Sequence, residues 1–258
     1  MDKLSVSIIS FNEEKNIRRC LESVKTIADE IVVVDSFSTD KTEAICREFD
    51  VSFSKHPFEG YIEQKNVALK ACRHNFVLSL DADEALSEEL CNSILDEKKR
   101  GFKGGYSMNR LTNFCGSWIR HSGWYPDRKL RLFEKTSGEW GGKNPHDKFL
   151  FFDKNTVLSH LKGDLLHYSY YTIEQHIAQI NKFSTIKAEG EFERGKKCYW
   201  IRLWLSPTFK FFRNYFFKLG FLDGFHGYVI CRNSAHATFL KYSKLRELWK
   251  QYKQPKND

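Results

Sequence analysis

The feature that most constrains this chain is a set of four short apolar runs in its first third, each followed by a polar stretch and a helical pattern. Leu4–Ser10 (LSVSIIS), Glu30–Asp35 (EIVVVD), Val51–Ser54 and Asn75–Glu84 (NFVLSLDADE) read as strands. Between them, Ile17, Cys20, Leu21 and Val24 recur at helical spacing. Asp40 stands where it would cap a helix over Lys41–Phe49, and Tyr61–Arg73 reads as a helix carrying Gln64-Lys65-Asn66. Strand and helix alternating at this short spacing predict a doubly wound, mostly parallel α/β sheet.

The fourth run stops on Asp81, Asp83 and Glu84, which places carboxylates at the carboxyl end of a strand, where open α/β sheets bind ligands. In extended geometry Asp81 and Asp83 share a face. Two such carboxylates repel unless a cation lies between them, and Mg²⁺ or Mn²⁺ takes hard oxygen ligands together with substrate phosphates. A solvated acidic loop ahead of a helix at Ser87–Lys99 is the alternative. No G-x-G-x-x-G follows the first strand and no G-x-x-x-x-G-K-[ST] occurs, which argues against a dehydrogenase or a P-loop enzyme. A bound nucleotide would therefore be held by side chains and a metal.

Four segments, SIISFNEE at 7–14, VVVDSFSTDKT at 32–42, QKNVAL at 64–69 and LSLDADE at 78–84, resemble in order and spacing the family 2 glycosyltransferases of the GT-A fold. The resemblance implies a nucleotide-sugar donor and inversion at the anomeric carbon. It implies that Asp35 contacts the nucleoside, that Asp83 ligates the metal on the diphosphate, that Asp81 supports the ribose side and that Glu13 lines the base pocket. Phe11, Ala82 and Lys65 fall in the same donor site, although Lys65 also reads as a solvated helix charge.

Gly104–Asn109 reads as a further strand, followed by a polar, aromatic stretch to Arg131. Trp124, Arg128 and Arg131 in that stretch suit a wall for donor or acceptor sugar, since rings and forked donors bind sugars, but Trp is also an ordinary core residue. In EWGGKNPHDKFL (139–150), His146-Asp147 lies in a Gly/Pro-rich loop. Related transferases of lipopolysaccharide core carry a His-Glu pair here, which makes Asp147 the expected general base and His146 an expected sugar contact; the Asp and Pro145 depart from that pattern. His167, at the end of another apolar run, matches a histidine that GT-A enzymes place near metal and diphosphate; His160 is a weaker candidate.

Thr172 and Gln175 form a capping box for a helix with Ile173, Ile177 and Ile180 on one face. Beyond Glu191 the composition changes. Residues 191–258 hold 14 Lys+Arg against 5 Asp+Glu, a net of +9 within an overall +8. Tyr199–Tyr228 packs twelve aromatic residues into thirty, and a basic helix around Lys241–Lys250 follows. These features predict a catalytic domain over 1–190 and an amphipathic helical extension over 191–258 that meets an anionic membrane surface or packs on the domain. Seven cysteines without a C-x-x-C pair point to a reducing compartment, and neither a signal peptide nor a spanning segment is expected.

The full-length resemblance is to β-1,4-glucosyltransferases of lipopolysaccharide core, through Leu130-Arg131-Leu132-Phe133 and the tail. It implies transfer of a hexose from a UDP-sugar, UDP-glucose first, to a lipid-linked or glycan acceptor on the cytoplasmic face of a bacterial inner membrane, with no nucleic-acid partner. The other classes weighed are a sugar-phosphate nucleotidyltransferase, against which FNEE replaces the Gly-rich, Arg-containing loop, and a non-enzymatic nucleic-acid binder acting through the tail.

Overall fold

The computed structural model describes residues 2–143 and 146–253, without the side chains of Lys143, His146 and Lys253. The chain divides into two compact units, one formed by Met1–Leu111 with Pro126–Tyr168, the other by Thr112–Tyr125 with the chain from Ser169 onward.

In the first unit β1 (Leu4–Ser10), β2 (Glu30–Asp35), β3 (Ser52–Lys55) and β4 (Phe76–Asp81) lie parallel in the order β3-β2-β1-β4. β1 is buried along its whole length, as a central parallel strand must be when helices cover both faces. α1 (Ile17–Val24) buries the expected Ile17, Cys20, Leu21 and Val24 against Val6 and Ile8. α2 (Thr42–Cys46) and α4 (Glu88–Arg100) join that layer through Cys46, Leu90 and Ile94. α3 (Tyr61–Ala71) packs with Val32, Val34 and Val77 in a second cluster, so helices cover both faces as expected. Ser87 caps α4 by accepting from the Leu90 N–H.

Past β4 the sheet continues through β8 (Asp127–Glu134), antiparallel to both β4 and β6 (Gly105–Phe114), and then through β11 (Leu158–Tyr170) to β5 (Glu84–Leu86), these last two antiparallel to each other. The Gly105 N–H donates to Val157 and the Cys115 N–H to Tyr170, so β6 and β11 run in the same direction and parallel pairing extends beyond the four strands predicted from the alternating pattern. The stretch expected as a Gly/Pro-rich loop is instead an antiparallel ribbon, β9 (Gly138–Lys143) with β10 (His146–Phe151). Its physical cause is aromatic: Phe149 stacks on Phe133 at 3.6 Å, and Trp140 meets both edge-on. Pro145 lies outside the described residues.

In the second unit β7 (Ser117–Ile119) pairs with the end of β6, and α5 (Ile173–Glu193), α6 (Trp200–Phe212) and α7 (Gly224–Lys253) pack together. A π-helical turn (Arg213–Phe217) and a 3-10 turn (Gly220–Asp223) join α6 to α7. The capping box of Thr172 and Gln175 is present, but the buried stripe of α5 is His176, Ile180, Ser184 and Ala188, and Ile177 is exposed. His176 displaces the isoleucine face because it enters a ring cluster of Phe114, Trp124 and Tyr170. Burial alone pushes its imidazole down to about 4, so it sits there neutral. Gly227 crosses the 3-10 turn so closely that a Cβ would lie 2.0 Å from the Gly220 carbonyl oxygen, which is why the aromatic run is broken there. The compositional boundary after residue 190 falls inside α5, whereas the second unit takes in the chain from Ser169 onward together with Thr112–Tyr125.

Candidate active site

Parallel register brings Ser10 opposite Asp35 and Ile9 opposite Asp81, so the carboxyl ends of β1, β2 and β4 share one edge. Two loops close over that edge. Asn12, at φ 54°, accepts from the Thr39 N–H and has its own N–H bound by Ser38 Oγ; Glu13 N–H donates to Thr42 Oγ1, and Glu14 N–H to Asp40. Asp40 also accepts from the Thr42 N–H, but it stands one residue ahead of the observed N-cap, Lys41, which has no side-chain cap. Phe11 and Phe37 stand out from these loops, 57% and 53% exposed. Asp35 is enclosed: Ser10 Oγ, Ser38 Oγ and Ser38 N–H donate to its carboxylate at 2.6–2.9 Å. Its contacts hold the loop.

Asp81 and Asp83 do not share a face. β4 ends at Asp81, a turn follows, and the two carboxylates diverge. Asp81 lies 3.1 Å from Lys65 Nζ and 2.8 Å from Arg131. What offsets its charge is a pair of protein cations, not the cation expected between two aspartates. Burial disfavours the charge on Asp81, but Lys65 and Arg131 more than offset it and hold the carboxyl well below the usual range. Glu84 is fully buried beneath, taking Arg131 at 2.7 Å and the Asp81 N–H at 3.0 Å. Burial likewise disfavours the Arg131 charge, and Glu84 and Asp81 outweigh it.

Lys65 belongs to the same charge cluster. Only 3% exposed, it is no solvated helix charge; it sits between Asp81 and Asp147, 2.7 Å from the latter, with its ammonium 4.7 Å from the Trp140 ring centre. The hairpin reaches it because Asn66 and Trp140 exchange a reciprocal pair of backbone–side-chain hydrogen bonds. Arg131, expected in a sugar wall, is 4% exposed and belongs to this cluster instead. Arg128 is exposed on β8. Trp124 lies in the second unit, in the ring cluster around Phe114, which is the core reading weighed against sugar binding. The side chain of His146 lies outside the described residues. Ala82 is buried and gives its N–H to Ile9. His160 is exposed beside Ser107.

Asp83 remains partly open, with His167 Nε2 3.1 Å from its Oδ2. β5–β11 pairing sets His167 opposite Glu84, and the Tyr168 N–H donates to the Asp83 carbonyl, so the pair is held by backbone. Among the described residues His167 is the side chain that pairs with Asp83, and His167 Nδ1 is buried without a partner. An oxygen and a nitrogen side by side fit a divalent ion that takes its other ligands from a substrate phosphate and water. No set of three or more His, Cys, Asp or Glu among the described residues forms a closed metal cage.

Residues 5–155, more than half of the chain, match glycosyl transferase family 2. The chain belongs to that family. It is 34% identical over 95% of its length to an uncharacterized glycosyltransferase of Rickettsia bellii, covering 87% of that protein. It is 30% identical over 94% to the lipopolysaccharide core biosynthesis glycosyltransferase LpsC of Rhizobium meliloti, covering 91% of it. Among solved structures it is similar to S. aureus TarS 1-349 in complex with UDP, at 17% identity over 99% of this chain and 94% of that one, with a TM-score of 0.46.

In this family 2 chain several site residues carry no obvious sequence signal. Glu84 reads from sequence only as one of three strand-end carboxylates, and nothing local marks it as the partner of Arg131. Gln64 donates from its amide to Ser36 Oγ and is buried, joining α3 to the loop after β2. Tyr61 stands close enough to Asp81, Asp83 and Asp147 that, after burial, their charges raise its phenol. The one available signal was the polar Gln64-Lys65-Asn66 triplet inside a helix that must bury a face.

Glu13 responds to the same field. Burial pushes its carboxyl up to about 7, the Asn16 amide partly opposes this, and Asp83, Asp40 and Asp81 add to it. A carboxyl raised in the folded state contributes stability below its ordinary value near 4.5, and that contribution is lost as pH rises through about 7. A carboxyl carbon titrating near 7 by NMR, absent in Glu13→Gln, is the expected result; a midpoint near 4.5 would show the loop open to water.

Arg131→Met should leave Asp81 and Glu84 without their shared cation and cost about 3–5 kcal/mol in denaturant unfolding, the scale for one missing partner of a buried pair. An exposed sugar contact would instead leave stability unchanged and raise KM.

Proposed function

We propose that this family 2 glycosyltransferase moves a hexose from a UDP-sugar, glucose being the first to try, to a hydroxyl of a lipopolysaccharide-core or related glycolipid, with inversion. The observation that carries the reading is the partition of carboxylates at one sheet edge. Asp81 and Asp147 are balanced by Lys65 and Arg131, whereas Asp83 with His167 is left facing outward. Asp83 and His167 would hold Mg²⁺ or Mn²⁺, whose chemistry there is to neutralise charge on the departing diphosphate. The similarity to LpsC supports a lipopolysaccharide-core acceptor. A lipid-linked acceptor puts the work at an anionic membrane surface, on the cytoplasmic side. The nucleotidyltransferase and non-enzymatic readings give way to family membership.

In this reading Asp147 accepts the proton of the acceptor hydroxyl. The hydroxyl oxygen bonds to the anomeric carbon from the face opposite the diphosphate, the carbon–phosphate oxygen bond breaks, and the pair of electrons leaves with the nucleoside diphosphate. Lys65, 2.7 Å from Asp147, holds that carboxylate in position on the edge. Phe11 and Glu13 lie on the loop beside the nucleotide side of the edge, and Asp35 acts through the Ser38 loop it holds.

Asp83→Asn should weaken UDP binding measured by calorimetry in Mn²⁺ buffer, with the circular dichroism spectrum unchanged. Equal affinities for both proteins, with and without chelator, would remove Asp83 from metal binding.

Asp147→Asn should lower turnover by about 10²–10⁴, the usual scale for a lost general base. Lys65 keeps Asp81 as partner, so the variant should fold and bind UDP normally. Parallel loss of UDP affinity would make Asp147 a donor-site or structural residue.

A further inference from the structure

α6 and the π-helical turn after it are amphipathic the wrong way round. Leu203, Pro207, Lys210 and Asn214 occupy the more buried side, three or four residues apart. Burial, with Arg213 and Lys187 adding, lowers the Lys210 ammonium. The open side carries Trp204, Leu205, Phe209, Phe212, Phe216 and Phe217, with Trp204 72% and Phe217 78% exposed. The ridge continues over the 3-10 turn through Leu222 and Phe225, the latter 68% exposed. Isolated exposed apolar residues are ordinary, but a continuous apolar ridge of this kind marks an interaction surface.

The charge around the ridge selects its occupant. From Arg194 to Leu222 there are seven Lys and Arg and no Asp or Glu. A second copy docking by two-fold symmetry would set these cations against themselves. An anionic lipid surface takes both features together, rings at the headgroup boundary and cations on phosphates. Among the described residues no helix is long and apolar enough to cross a membrane. The basic helix α7 is a poorer candidate than its composition suggests. Lys244 donates to Asn181, Ser184 and Thr185 of α5 at 2.7–2.8 Å, and the Lys241 ammonium lies 3.9 Å from the Tyr242 ring centre.

We propose that the outward face of α6 and its following turns, not α7, is the docking surface of this protein, lying in the plane of an anionic bilayer with Trp204, Phe209, Phe212 and Phe217 inserted. This deepens the reading of the protein as a transferase at a membrane surface and rests on it for purpose, not for evidence.

The test is flotation of the full-length protein with vesicles of phosphatidylethanolamine and phosphatidylglycerol, and with phosphatidylcholine alone. The wild type should float with the anionic vesicles, and its tryptophan emission should be quenched by brominated lipid. Replacing Trp204, Phe209, Phe212 and Phe217 together by Ser should cut partitioning by roughly tenfold or more, because the inserted apolar area is lost. Thermal unfolding should not fall, since these rings face away from the packed side, and Lys244→Gln should float like wild type. Equal flotation of the Ser variant, or a concentration-dependent dimer of the wild type that the Ser variant loses, would overturn the proposal. UDP binding, measured separately, reports on the donor reading: its absence alongside normal flotation would sink that reading and leave this one standing.

Discussion

Lys65 and Arg131 are the interactions on which the first unit depends. Each is nearly buried, and each is shared by two carboxylates: Asp81 and Asp147 for the lysine, Asp81 and Glu84 for the arginine. These residues come from α3, β8, β4, β10 and β5, so one charge cluster ties five elements at the functional edge. Desolvating such charges costs several kcal/mol each, and only close pairing with further hydrogen bonds offsets it. An exposed pair such as Arg18–Glu48, at a similar distance, is screened by water and contributes little. The cluster is therefore as much a geometric device as a stabilising one. It fixes where β4 stops, which way Asp81 points and how far the β9–β10 hairpin leans over α3.

Much of this architecture was legible because local and global signals agree. The apolar stripe of α1 and the Thr172–Gln175 box each follow from rules that depend on neighbours in sequence. The carboxylate-ended strands were legible for the same reason. What could not be read were the long-range pairings. Asp81 and Asp83 look equivalent in D-A-D, yet the turn at Ala82 sends one toward Lys65 and the other toward His167. Nothing local distinguishes Arg131, which is enclosed, from Arg128, which is exposed, because a strand alternates its faces and the inner face here is lined with acids. The hairpin was hidden by glycines and a proline that usually mark loops; Trp140 and Phe149 make it a ribbon by packing on Phe133.

The second unit shows the same limit from the other side. The aromatic tail was legible as amphipathic, but amphipathicity does not say which face turns inward. Small and polar residues, Pro207, Lys210 and Asn214, fill the packed side of α6, while Phe211 and Tyr215 pack with Tyr228 and leave the larger aromatic set outside. Gly227 permits α7 to cross the 3-10 turn closely, since any Cβ there would meet the Gly220 carbonyl.

The electrostatics of the edge carry one further consequence. Asp81, Asp83, Asp147, Glu84 and Glu13 gather there against Lys65, Arg131 and the more distant Arg110, 3.6 Å from Glu84. Burial is the main reason Glu13 is raised, and the charges of Asp83, Asp40 and Asp81 add to it. A bare diphosphate would add to the surplus of negative charge and be repelled most where Asp83 stands. Under the function proposed above, a divalent cation at Asp83 and His167 would offset that repulsion. The Lys65 and Arg131 charges cannot substitute, because each is already committed to two carboxylates. The same commitment keeps the balanced pair Asp81–Asp147 from competing for the ion, which leaves Asp83 and His167 as the place where added positive charge gains most.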